Sequence, residues 1–196
     1  MKRVFDILFS FIGLILLLPI FLIIALVIKI ESKGPVFYLQ TRVGKNNKDF
    51  KIFKFRTMFV GSDSKGLLTV GDRDPRITRS GYFLRKYKID EIPQLINVFI
   101  GNMSFVGPRP EVRKYVNYYS KEDLKILALK PGITDYASIH YRNEAELLKS
   151  SEDPDSLYIN EILPEKIRLN NLYLNNASIY LDLKIIFNTI KVIFIN

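Results

Sequence analysis

Polar and apolar positions divide this chain into one long apolar block followed by short amphipathic stretches. Residues Ile7 to Ile28 are almost wholly apolar, with Lys2 and Arg3 ahead of them and Lys29 and Lys33 behind. That run of 22 residues is long enough to cross a bilayer once as a straight helix. It is too long for a cleaved leader and no small-residue cleavage site follows it. Pro19 sits near its middle, where proline removes a backbone hydrogen bond and bends a helix, and both flanks are positively charged. These features suit a re-entrant helix with both ends on the cytoplasmic side, while a kinked single span remains the alternative. Residues 1–31 therefore read as a membrane-inserted helical segment and 32–196 as one folded domain.

Beyond the turn Ser32–Pro35, the pattern predicts two short strands, Val36–Val43 and Asp49–Arg56, around Gly44-Lys45-Asn46-Asn47. Alternation along the second strand puts Lys54 and Arg56 on one face. Met58–Asp74 is rich in Gly, Ser and Asp and reads as a loop, leading into Asp72-Arg73-Asp74-Pro75-Arg76. Ile92, Leu95, Ile96 and Phe99 have helical spacing, so a short helix is expected after Asp90. Glu111–Tyr119 reads as another. Ser120 with Asp123 resembles a capping box for a helix that ends before Pro131-Gly132. Ser150–Asp155 is acidic and serine-rich, as an exposed loop would be. Ile179–Ile195 carries Lys184 and Lys191 among apolar residues, which fits an interfacial amphipathic helix or a packed terminal one. The expected fold class is α+β, mainly helical with a small β-hairpin, an N-terminal re-entrant membrane helix and interfacial amphipathic helices.

Composition narrows the chemistry. The chain of 196 residues has no cysteine and one histidine, His140, so disulfides, thiolate sites and histidine-rich metal sites are excluded. Its net charge is +9, and residues 1–31 hold three cations against two anions, so +8 belongs to the polar body. Such an excess suits phosphate-bearing substrates, anionic lipid or nucleic acid, and charge alone does not choose among them.

Candidate chemistry concentrates between Arg85 and Pro110. A basic cluster, Arg85, Lys86 and Lys88, runs into the adjacent carboxylates Asp90 and Glu91, and a short helix leads from these to Pro108-Arg109-Pro110. Arginine and lysine hold phosphate oxygens, and a carboxylate can ligate a hard cation or attack phosphorus. Asp90 would equally serve as an ordinary N-cap with Pro93 in the first turn. Pro110 pushes Arg109 towards extended geometry, so its guanidinium is presented from a stiff backbone; a solvated arginine in a rigid turn is the plain alternative.

The run DEIPQLINVFIGNMSFVGPRPE, preceded by RITRSGYFLRK, with GPVFYLQTRVG at 34–44, KFRTM at 54–58 and PGIT at 131–134, resembles the bacterial sugar transferases called monotopic phosphoglycosyl transferases. The likeness extends over nearly the whole chain, and it implies a function. A phosphosugar would pass from a UDP-sugar to polyprenyl (undecaprenyl) phosphate, releasing UMP and initiating membrane glycoconjugate assembly at the cytoplasmic face of the bacterial inner membrane. The resemblance implies that Asp90 is the nucleophile, forming a covalent aspartyl-phosphosugar. It implies Mg²⁺ as cofactor on Glu91, with Asp90 beside it as a further candidate ligand, and phosphate contacts from Arg85 and Arg109. Lys54 and Arg56, in the KFR motif, are further phosphate candidates. Arg142 matches the end of a family pattern from which the rest of 131–143 departs, since Asp135, Tyr136, Ser138, His140 and Tyr141 differ from the commonest wording. Asp182 also matches. Two other readings stay in play: direct transfer with Asp90 as a metal ligand, and a membrane-anchored basic module for anionic lipid or nucleic acid. The second leaves the carboxylate pair and Pro108-Arg109-Pro110 without a role, so membrane lipid rather than nucleic acid is the expected partner.

Overall fold

The computed structural model describes residues 2–62, 68 and 74–195. Most of the loop expected over Met58–Asp74, with Asp72 and Arg73, lies outside them. The first helix, α1 (Lys2–Glu31), runs through Pro19 and is followed by an antiparallel hairpin, β1 (Phe37–Val43) and β2 (Asp49–Phe55), paired in register from Phe37 with Phe55 to Val43 with Asp49. The hairpin matches its expectation to within a residue at either end. Two residues of its turn, Asn46 and Asn47, have positive φ, which asparagine tolerates better than most.

Next come α2 (Arg79–Lys86), a 3₁₀ turn at Ile89–Glu91, α3 (Gln94–Ile100) and β3 (Ser104–Val106). The remainder is α4 (Arg113–Val116), a 3₁₀ segment at Asp123–Ala128, β4 (Gly132–Thr134), and α5 (Tyr136–His140) through α6 (Glu144–Lys149) to α7 (Pro154–Leu157). The last two helices are α8 (Leu163–Asn176) and α9 (Ile179–Ile195). The fold class is α+β, mainly helical with a small hairpin. The helix expected over Glu111–Tyr119 is only one turn long, and the Ser120–Asp123 box, with its reciprocal bonds, opens a 3₁₀ segment. β3 and β4 pair in parallel, a contact between segments of three residues that carry too few positions for any period to be read.

Packing explains where α1 lies. Its Phe21 and Ile28 are buried with Phe55 and Leu84, tying it to the hairpin and α2. Gly13 lets Leu95 of α3 come close, and Phe11 stacks on Phe99 at 5.9 Å between ring centroids. Both ends are tied by polar contacts as well. At the start, Lys2 Nζ donates to Asp182 Oδ2 at 2.8 Å, the Tyr173 hydroxyl at 2.7 Å and the Val106 carbonyl at 2.9 Å. Arg3 donates to the carbonyls of Val98 and Phe99, which end α3. The buried carboxylate of Asp6 accepts from Ser104 Oγ and the Phe105 N–H. At the other end, Glu31 accepts from the Ser80 N–H and hydroxyl. A helix of 30 residues is about 45 Å long, and the body reaches both of its ends. The opposite face of α1, with Leu16, Leu22, Ile23 and Ile30, is exposed and apolar. It is the one candidate membrane segment among the described residues.

The C-terminal helix α9 packs one face against the body, as a packed terminal helix does, and leaves the other exposed. Ile185 is fully buried beside Val106 and Tyr173, and the Thr189 and Thr134 hydroxyls meet at 2.6 Å. Tyr180, Leu183, Phe187 and Ile190 remain exposed on the other side, with Lys184 and Lys191 also exposed. The main core is elsewhere, around Tyr115, Ile126, Leu148, Tyr158 and Leu163. Between this core and the α1 layer runs the seam in which the polar side chains converge.

Candidate active site

The carboxylate pair owes its position to the backbone just before it. Lys88 adopts left-handed geometry, φ 55° and ψ 20°, uncommon for a side-chain-bearing residue, and starts the helical turn two residues before Asp90. Asp90 therefore lies within the turn and caps nothing. Pro93, not Asp90, stands at the N-cap of α3. The N-cap expectation for Asp90 is thus corrected: its side chain is buried, and Oδ1 has no hydrogen-bond partner among the described residues. Burial, reinforced by the neighbouring charge of Glu91, pushes the Asp90 carboxyl above its ordinary value, against the pull of Lys54, Arg85 and Lys88.

Glu91 has the opposite environment. Its Oε1 accepts from Lys54 Nζ at 2.8 Å, while the Arg109 guanidinium grips both oxygens, Nη1 donating to Oε2 at 2.9 Å and Nη2 to Oε1. Burial opposes its ionisation, but Arg109 and Lys54 outweigh that and hold the carboxyl well below the usual range. Arg109 is raised in return, chiefly by the charge of Glu91. Burial lowers Lys54, with Glu91 offsetting part of the effect. Adjacent carboxylates are thus pushed in opposite directions, one held as an anion and one eased towards the neutral acid.

Arg109 is placed by its backbone. Gly107 and Gly132 lie so close that a Cβ on Gly132 would fall 2.2 Å from the Gly107 nitrogen, so only glycine permits this approach of β3 to β4. The Gly132 N–H bonds the Pro108 carbonyl at 3.1 Å, and Asp135 Oδ2 accepts from the Arg109 N–H at 2.9 Å while Oδ1 caps α5 through the Ser138 N–H. Behind Arg109 lies a second buried ionic group. Glu111 accepts from the Tyr158 hydroxyl at 2.6 Å, with Arg42 and Lys166 within 3.9 Å and 3.7 Å of its oxygens, and Lys166 also pairs with Glu144 at 2.5 Å. Burial disfavours the Glu111 charge, but Lys166 and Arg42 lower its carboxyl on balance.

The bacterial sugar transferase family profile matches residues 1–196. The chain belongs to the bacterial sugar transferase family. It is 40% identical over 195 residues to an Aeromonas hydrophila protein named UDP-N-acetylgalactosamine-undecaprenyl-phosphate N-acetylgalactosaminephosphotransferase, covering 98% of this chain and 43% of that one. It is 36% identical over 200 residues to the Escherichia coli K12 UDP-glucose:undecaprenyl-phosphate glucose-1-phosphate transferase, covering 100% and 40%. The chain thus spans about two fifths of the length of these relatives. A shorter relative, the exopolysaccharide production protein PSS of Rhizobium leguminosarum bv. phaseoli, is 37% identical over 201 residues, covering 97% of this chain and 93% of its own.

In this sugar transferase, the residues singled out from the sequence do not all share one location. Asp90, Glu91, Lys54 and Arg109 converge. Arg85, in the last turn of α2, is half-buried and near enough for its charge to act on Asp90. Arg56 is placed elsewhere, since β2 ends at Phe55 and the strand alternation ends with it. Its buried guanidinium donates to the carbonyls of Lys33 at 2.7 Å and Ser32 at 2.8 Å, so it ties down the end of α1 and does not project with Lys54. Arg142 reaches the Ile193 carbonyl of α9 at 3.4 Å. Asp182 is engaged by Lys2 and by the Tyr173 hydroxyl, the latter at 2.5 Å. Asp135, which bonds the Arg109 N–H, and the Glu111 group with Arg42 and Lys166 behind it were not legible together, because they come from four separate segments. Among the described residues no three His, Cys, Asp or Glu side chains cluster as a complete metal cage.

Proposed function

We propose that this sugar transferase moves a phosphosugar from a UDP-sugar to a polyprenyl phosphate, with undecaprenyl phosphate the acceptor, and releases UMP. The observation that carries the reading is the contrast between the two carboxylates. Glu91 is locked between cations, and Asp90 beside it is buried with an oxygen that none of the described residues holds. A carboxylate free of a salt bridge keeps its lone pair for phosphorus. An oxygen of Asp90 bonds the phosphorus that carries the sugar, the pyrophosphate bond breaks, and its electron pair leaves on the bridging oxygen with UMP. The polyprenyl phosphate oxygen then attacks the same phosphorus, and the aspartyl C–O–P link opens to return the carboxylate. Two steps suit substrates of different solubility, which occupy one interfacial site in turn.

Arg109, Lys54 and Arg85 bring positive charge to where the diphosphate would lie. Arg109 presents a planar fork suited to phosphate oxygens. The donor set also fits Mg²⁺. That ion is commonly held by one or two carboxylates together with substrate phosphates, not by an all-protein cage, and Asp90 and Glu91 provide that number. When bound it would offset the charge of the diphosphate as it nears the carboxylates. Glu91 is the more available anion for it, provided that its cations turn to the phosphates.

The membrane reading is that α1 enters one leaflet and returns, with residues 32–196 on the cytoplasmic face of the bacterial inner membrane. It is supported by the body holding Lys2 at one end and the carbonyls of Ser32 and Lys33 at the other. A straight span could not leave both ends on one side. The test of the reaction is UMP release by the full chain in nanodiscs, across a panel of UDP-sugars with undecaprenyl phosphate and Mg²⁺. Release with one donor and not its epimer is expected; no release across the panel from folded protein would overturn the reading.

A further inference from the structure

Gln94 is the first residue of α3 and is completely buried, yet neither its amide nitrogen nor its amide oxygen has a hydrogen-bond partner among the described residues. This is an expensive arrangement. A buried amide left without hydrogen bonds keeps the full penalty of losing its water, and methionine or leucine would fill the same volume without that cost. The neighbouring asparagine of α3 shows the ordinary solution. One turn later, Asn97 Nδ2 donates to the Lys51 carbonyl at 2.8 Å, and its Oδ1 accepts from the Phe53 N–H at 2.9 Å. Gln94 makes no such bond to the strand.

The other buried polar atom without a partner in this turn is Asp90 Oδ1. Asp90 and Gln94 are four residues apart, and the backbone between them stays helical: Ile92 at φ −55°, ψ −35° and Pro93 at φ −60°, ψ −13°. The bonds through this stretch run i to i−3, as from the Ile92 N–H to the Ile89 carbonyl and the Leu95 N–H to the Ile92 carbonyl, so it is wound tighter than an α-helix, and the long glutamine side chain has to cover the difference for a glutamine–aspartate hydrogen bond of the kind helices allow. Asp90 and Gln94 thus carry unsatisfied buried groups on successive turns, whereas Glu91, Lys54 and Arg109 beside them are bonded to one another.

We infer that Gln94 is a positioning residue for Asp90, its amide N–H₂ donating to Oδ1 in the reacting state so that the other carboxylate oxygen is aimed at phosphorus. The inference rests on the reading of Asp90 as nucleophile. A carboxylate held at one oxygen loses its freedom to rotate, and near-attack geometry depends on that freedom being removed. Such a donor contributes to the step in which the carboxylate bonds phosphorus, and little to binding of the donor substrate.

The test uses full-length protein in nanodiscs. Gln94→Met keeps the length and volume of the side chain and removes its donors. It should lower kcat by roughly 10- to 100-fold with KM for the UDP-sugar within about threefold. Its unfolding temperature should be equal to or above that of the parent, because an unpaired amide has left the core. Gln94→Glu, isosteric but without the donor, should not restore kcat. A Gln94→Met protein with kcat within twofold of the parent, or one whose loss of rate simply follows a lowered unfolding temperature, would overturn the inference. A second readout does not depend on turnover. The chain has two glutamines, Gln40 and Gln94, so protein labelled with ¹⁵N at glutamine gives two side-chain amide pairs, and Gln94→Met identifies which is which. The Gln94 pair should move on Asp90→Asn while that of Gln40 stays. An unmoved Gln94 pair would overturn the inference even in a protein whose UMP release supports the transfer reaction; if no donor supports release, the resonance alone decides.

Discussion

Glu91 and Arg109 close on one another through two hydrogen bonds, a fork-to-carboxylate pair made between residues 18 apart in sequence. In this state each satisfies the other's charge. A diphosphate that took Arg109 alone would leave Glu91 with Lys54 as its one cation, and a cation that took Glu91 alone would strand Arg109, both in a half-buried seam where poorly paired charges are costly. Mg²⁺ and the UDP-sugar are therefore expected to bind together. Titration of one in saturating amounts of the other should tighten the apparent Kd by about tenfold or more. Independent binding constants would show that the pair does not open.

The carboxylates should separate cleanly by mutation. Asp90→Asn is expected to abolish transfer and any covalent adduct without loss of folding, since Asp90 caps no helix and makes no ion pair. Glu91→Gln should slow the reaction yet still allow Asp90 to be labelled. Intact mass after incubation with donor alone distinguishes the outcomes. Turnover by Asp90→Asn, or a wild type that never carries the phosphosugar, would favour direct transfer.

Arg109→Lys keeps the charge and gives up the planar fork, so activity should fall by roughly 10-fold or more. Arg56→Gln makes the contrasting case. Arg56 binds backbone carbonyls at the end of α1, so its loss should lower the unfolding temperature by several degrees while KM for the donor stays within about twofold. A large rise in KM would return Arg56 to the substrate.

Stability should depend on acid through Glu111. Its folded pKa lies below the ordinary 4.5, so the stabilisation is complete above that value and is lost as pH falls from it through the folded pKa. Glu111→Gln should remove this portion of the acid dependence. It should also destabilise the protein at neutral pH, by about 3 kcal/mol, because Arg42 is left buried without its anion while Lys166 keeps Glu144. Denaturant melts at a series of pH values would check both, and a variant as stable as the parent at pH 7 would refute the network's role.

Topology can be read with single cysteines, since the chain has none of its own. Val4→Cys, on the exposed side of α1 near its start, and Lys33→Cys should both resist a membrane-impermeant thiol reagent applied to intact cells. Labelling at position 4 alone would establish a span.

The features legible in the sequence are local. The apolar block before Lys29, the hairpin about Gly44–Asn47 and the adjacency of Asp90 and Glu91 all depend on neighbours in the chain, where period, turn residues and proline have their effect. Even the stiff presentation of Arg109 is a property of its flanking prolines. Tertiary structure decided the partners. Lys54 meets Glu91 across 37 positions, Lys2 meets Asp182 across 180, and nothing in either neighbourhood announces the pairing. Arg56, two residues from Lys54, parts from it because the strand ends between them. The difference between Asp90 and Glu91 is also tertiary: both are carboxylates in one turn, and only the burial of each and the cations that reach it make one an ion-pair anchor and the other an unpaired base.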